Sequence, residues 1–164
     1  MENLVKRLLV ATTVAVAVFA ASCTASTSRP AGSARPLPPD PRTASALLRI
    51  ATMFNHDYDT GDYRDVYARW DARSQAIITR AGYIRRHREC PSDSRALSRT
   101  ESVNPRGPHK AWLVYYEIGG QQLTDYWFYV HRRWVFDLLL SNPDAVKLYR
   151  MTPQHYVAAL GCAR

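Results

Sequence analysis

Lys110–Leu140 reads KAWLVYYEIGGQQLTDYWFYVHRRWVFDLLL, and this stretch decides the fold. β-Branched and aromatic residues fill it, and it breaks twice, at Gly119-Gly120 and at His131-Arg132-Arg133. Such residues suit a pleated, half-buried surface, and short polar or glycine breaks between them mark hairpin turns. The spacing predicts three antiparallel strands. Turns with an even number of residues fix which side chains share a face. One face then carries Trp112, Val114, Tyr116, Leu123, Asp125, Trp127, Tyr129, Trp134, Phe136 and Leu138. The other carries Leu113, Tyr115, Tyr126, Phe128, Val135, Asp137 and Leu139. Both are too apolar to stand in water, so both need cover. The first holds three of the four tryptophans and one carboxylate, which makes it the core or pocket face.

The cover comes from helices on either side. Asp40-Pro41 reads as an N-cap with proline at the first helical position. Leu47, Ala51, Phe54 and Tyr58 then form one apolar stripe that ends at Thr60-Gly61. Asp62 is placed to cap a second helix with the stripe Tyr63, Val66, Tyr67 and Trp70. Asp71 to Gln75 reads as a break and Ala76 to Ile78 as a short strand. Thr79 caps a third helix, with Tyr83 and Ile84, that closes at Cys90-Pro91. Pro91 to Pro108 is a polar loop with one short strand near Leu97 to Val103. After the sheet, Asn142-Pro143 and Thr152-Pro153 each start a short helix, and Gly161 suits a helix C-terminus.

The N-terminus has a different character. Lys6 and Arg7 precede an apolar run from Leu8 to Ala21, too short to span a bilayer comfortably. Phe19-Ala20-Ala21-Ser22-Cys23 follows. Small residues directly before a cysteine at the end of such a run resemble the lipobox of bacterial lipoproteins, although Ala20 stands where leucine is usual. The resemblance implies a signal peptide over residues 1–22 and a diacylglycerol-modified Cys23. It places the protein at the cell membrane, on its extracytoplasmic side, with the membrane as a partner. An ordinary secretory leader cut nearby is the alternative. Residues 23–42 are rich in Ser, Thr, Ala, Pro and Arg without hydrophobic period, the composition of a disordered tether. Residues 43–164 are left as one domain.

The formal net charge is +8, and of the 22 basic side chains only Lys6, Lys110 and Lys147 are lysines. Arginine bias of this kind follows from a GC-rich genome or from attraction to an anionic surface. Arg80, Arg85, Arg86, His87 and Arg88 share the third helix, as a solvated face suited to the helix dipole or as an anion-binding patch. Nucleic acid is not expected as a partner of an exported domain. Cys90 and Cys162 are the only cysteines of the body, and in an oxidising compartment they pair. No CxxC or Cys/His cluster suggests a metal, and no cofactor motif is present.

Helices followed by an aromatic antiparallel sheet make an α+β fold. The order resembles the nuclear transport factor 2-like superfamily, a cystatin-like cone that includes ketosteroid isomerases and polyketide cyclases. The likeness rests on Gly61-Asp62-Tyr63, on Thr79 with Tyr83, on the alternation of Trp112, Val114 and Tyr116, on Asp125 and on Arg133-Trp134. Small secreted actinobacterial lipoproteins are similar, with a cysteine after the third helix and a Gly-Cys near the end, here Cys90 and Gly161-Cys162. The resemblance implies three N-terminal helices packed on a curved sheet, with short C-terminal helices. An isomerase of this kind needs a base and two hydrogen-bond donors to an enolate oxygen. Asp125 matches the acidic donor. Phe54 stands where the donor tyrosine belongs, and Arg73 to Thr79, where the base belongs, has no carboxylate.

The expectation is therefore a non-catalytic domain that binds a small apolar ligand, a cell-envelope component or a partner protein. The alternatives are a divergent isomerase, dehydratase or cyclase, and a homodimer formed through the second sheet face. Tyr58, Trp70, Tyr83, Tyr116, Asp125 and Trp127 are the pocket candidates, either a ligand cage or plain core. Asp125 either orients a ligand or is satisfied by backbone amides or an arginine.

Overall fold

Side-chain oxygens start most of the helices. Thr43, Asp71, Thr79, Asp137, Asn142 and Thr152 each accept a hydrogen bond from a backbone N–H three residues on. Each bond satisfies one of the donors that a helix leaves unpaired in its first turn. The computed structural model describes residues 38–91 and 97–162. Within them lie helices α1 (Ala44–Thr60), α2 (Tyr63–Ala68), α3 (Ala72–Gln75) and α4 (Arg80–Glu89). Strands β1 (Arg99–Asn104), β2 (Trp112–Ile118), β3 (Gln121–Val130) and β4 (Arg133–Phe136) follow. Helices α5 (Leu138–Ser141), α6 (Pro143–Tyr149) and α7 (Pro153–Ala159) complete the described chain. The architecture is α+β, with one antiparallel sheet in the order β1-β2-β3-β4. The leader, Cys23 and the tether as far as residue 37 lie outside the described residues.

The register follows the alternation. Trp112 pairs with Trp127 and Trp127 with Phe136, Val114 with Asp125, Tyr116 with Leu123, and Tyr129 with Trp134. Two two-residue turns hold it: Gly119-Gly120 and His131-Arg132 all have positive φ, the backbone whose twist matches paired strands. The core lies between this face and the helices, where Leu47, Val66, Tyr83, Val114, Trp127 and Trp134 are fully buried. On the second face Tyr115, Tyr126, Phe128 and Val135 are half-buried. Leu113 is covered by the loop at Gly107, where a Cβ would come within 2.7 Å of the leucine side chain.

Several expectations are corrected. The first helix starts at Thr43, not at Asp40-Pro41. Asp40 instead ties the chain to the sheet: its carboxylate accepts from Arg69 Nη1 (2.8 Å) and Trp134 N (3.0 Å). Its carbonyl accepts from the Tyr129 hydroxyl, and Pro41 O accepts from Trp134 Nε1. The packed domain thus begins at Asp40, inside the segment read as tether. Asp62 makes no side-chain cap; its carbonyl accepts from Asp65 and Val66. Ala76 to Ile78 is not a strand. Asp71 caps a one-turn helix over Ala72–Gln75, the stretch expected to be a break, and the Tyr67 hydroxyl lies within hydrogen-bond reach of the carbonyls of Gln75 and Ile78, holding the turn that follows. Among the described residues four helices therefore precede the sheet rather than three. The last strand stops at Phe136 because Asp137 caps α5; Asp137 N and Ser141 Oγ take the edge bonds of Tyr126.

A candidate ligand cavity between the helices and the sheet

Eight elements converge on one cavity, β4 and α5 through Phe136 and Leu138. α1 contributes Phe54 and Tyr58, four residues apart and so on one face. Val66 and Trp70 come from α2 and its end, again four apart, and Tyr83 comes from α4. β2 and β3 present Tyr116 and Asp125, and α6 closes the ring with Tyr149. The cavity measures about 250 Å³. α1 is held over it by Asn55, whose Nδ2 donates to Thr100 Oγ1 (3.0 Å), and by Asp59, whose carboxylate accepts from Ser98 N and Oγ. Five of the six sequence-predicted pocket residues meet here. The sixth, Trp127, is fully buried beneath, edge-on to Phe54 and Phe136.

Asp125 dominates the electrostatics. It is 5% exposed and makes no side-chain hydrogen bond or ion pair with the described residues. Neither a backbone amide nor an arginine satisfies it, which corrects the structural expectation. Burial disfavours the charged carboxylate and pushes its pKa up to about 8. The acid is therefore mostly protonated at neutral pH. Burial also raises the phenols of Tyr83, Tyr116 and Tyr149. Among the described residues no lysine, arginine or histidine lines the cavity. The indole N–H groups of Trp70 and Trp127 are buried without partners among the described residues.

The arginine-rich helix α4 splits into two sides that the sequence reading did not separate. Tyr83, Arg86, His87 and Cys90 follow a helical period and face inward, and this spacing was the available signal. Arg86 donates from Nη1 to Leu148 O (3.0 Å) and from Nη2 to Met151 O, and its guanidinium lies over the Tyr156 ring. It thereby serves carbonyls at the end of α6 and just beyond. His87 Nε2 meets the Tyr149 hydroxyl at 2.8 Å and the ring stacks on Tyr63. Burial lowers its pKa to about 4. Neither side chain belongs to a solvated face or an anion patch. Arg85 and Arg88 remain outside and, with Arg64, border a groove floored by Ile84 and Val157. Cys90 and Cys162 are disulfide-bonded, with Cα atoms 5.5 Å apart.

Phe54 and Tyr149 were not among the predicted pocket residues. Phe54 was visible as one member of an apolar stripe and as the residue standing where a donor tyrosine would belong, and Tyr149 lies in a helix whose end is held by Arg86 from a distant part of the chain. Among the described residues no group of three His, Cys, Asp or Glu side chains could hold a metal ion. Among them also, no helix is long and apolar enough to cross a membrane. The chain matches no protein-family model, no curated protein and no solved structure.

Proposed function

We propose that the domain beginning at Asp40 forms a nuclear transport factor 2-like cone that binds a small ligand rather than catalysing a reaction. In this reading a diacylglycerol-modified Cys23 holds the domain on the outer side of the cell membrane. The observation that carries the reading is the 250 Å³ cavity, walled by aromatic side chains and centred on an acid without a partner. A mostly apolar cavity with few polar groups is how small-ligand sites are built. Proton transfer next to a carbonyl needs a base beside the acid. Among the described residues neither a second carboxylate nor an imidazole lines the wall, and Phe54 lines it where the resemblance calls for a donor tyrosine. The test is native mass spectrometry of the protein purified from the cells that make it. A retained small molecule, lost on denaturation, is the expected result. Turnover of a ketone substrate by the purified domain, abolished by changing a cavity side chain, overturns the reading.

A further inference from the structure

Two acids are buried outright, Asp125 and Asp137. Asp40 pairs with Arg69, and Arg73 pairs with both Asp71 and Asp137. Asp59 takes both donors of Ser98. Among the described residues Asp125 has no side-chain partner, and it is the acid that lines the cavity. The sequence carries 22 basic against 14 acidic residues, and none of the described basic side chains lines this wall. Around the acid stand Phe54, Tyr58, Trp70, Tyr83, Tyr116 and Tyr149. Aromatic faces are the negative side of the ring quadrupole and attract cations, most strongly when water is excluded. A carboxylate in the same enclosure supplies the counter-charge, and a nearby cation restores the ionised form that burial disfavours. An anionic ligand meets the negative ring faces and gains nothing from the ionised form of the acid.

We infer that the cavity takes a small organic ammonium ion, its alkylated nitrogen among the aromatic rings and its charge paired with the Asp125 carboxylate. This rests on the binding role proposed above and names its ligand class. N-Alkyl groups suit the aliphatic remainder of the wall, where Val66 and Leu138 offer no hydrogen bond. A ligand the size of choline fits the volume. The cation competes with the proton on Asp125, so binding is linked to pH. The titratable groups sharing the cavity with Asp125 are the phenols of Tyr58 on α1, Tyr83 on α4, Tyr116 on β2 and Tyr149 on α6. Burial moves Tyr83, Tyr116 and Tyr149 further above the physiological range. The apparent affinity should therefore follow Asp125, tightening roughly tenfold per pH unit below its titration and levelling off above it.

The probes are choline and its neutral isostere 3,3-dimethylbutan-1-ol, titrated calorimetrically into the chain from residue 24 onward. The buried core and the disulfide all lie between residues 40 and 162, within this chain. Choline should bind, more tightly at pH 8 than at pH 6, and the alcohol should bind more weakly without pH dependence. Asp125→Asn should weaken choline by about tenfold or more while changing the alcohol less than about twofold. Tyr116→Leu, which keeps apolar bulk but removes a ring, should weaken choline selectively; circular dichroism checks that both variants fold. If the alcohol binds as tightly as choline, the cation assignment fails and the binding role survives. If neither binds at millimolar concentration, both fail.

Discussion

Asp125→Asn should change how stability depends on pH, and the size of the change follows from one carboxyl group. In the folded domain the group titrates at about 8, against 3.8 in the unfolded chain. Between those values the folded state holds a proton that the unfolded state has released. The stability this group contributes is fully present below pH 3.8, declines as pH rises, and is lost once pH passes about 8. Each unit in that window is worth about 1.4 kcal/mol, so the contribution of this one group should fall by about 4 kcal/mol between pH 5 and pH 8. That is a large share of the 5–15 kcal/mol typical of a domain, roughly speaking. Asparagine nearly matches the shape and has no proton to lose. The variant should equal or trail wild type at pH 5 and exceed it by several kcal/mol at pH 8. His87 titrates in both proteins and cancels in the difference. Urea unfolding followed by tryptophan fluorescence gives the curves, with Trp127 and Trp134 fully buried as reporters. Parallel curves for the two proteins would refute the reasoning, because they would mean that Asp125 is ionised in the folded state.

Three further outcomes are expected. His87 is held near pKa 4 against an ordinary 6.5, so below pH 6.5 the unfolded chain gains a proton that the folded domain refuses. His87→Gln should flatten the loss of stability between pH 6.5 and pH 4, and an unchanged acid limb of the unfolding curve would count against it. Reducing the Cys90–Cys162 bridge, or replacing both cysteines with alanine, opens a loop of separation 72. The cost should be roughly 4 kcal/mol in denaturant unfolding, and no shift in midpoint would show that the bridge constrains nothing. Finally, Cys23→Ala should move the protein from the membrane to the soluble fraction, and retention in the membrane would sink the lipidation reading.

The sheet was legible because its signal is local. Residues that alternate between Trp112 and Leu138 must share faces once the turns are even, and the observed pairs Trp112–Trp127 and Tyr129–Trp134 follow from that alone. The caps at Thr79, Asn142 and Thr152 were equally local. What escaped depended on distant partners. Asp40 looks like a cap in isolation, but Arg69 and the Trp134 amide take its carboxylate. Arg86 and His87 sit in a run of charged residues, and only Leu148, Met151 and Tyr149, some 60 positions later, turn them inward. The pocket was found in outline because bulky aromatics on facing elements leave gaps when they meet edge-on. Trp127 was misplaced within it because neighbours on one strand face differ in depth, and sequence does not record depth.

The stitch at Asp40 has a mechanical consequence. A tug on the chain ahead of this residue reaches Arg69, Trp134 and the Tyr129 hydroxyl before it reaches the start of α1. These contacts sit on separate elements, so they share the load instead of failing one after another like a zip. The aromatic chamber behind Asp40 is thereby shielded from a pull on the chain ahead of it.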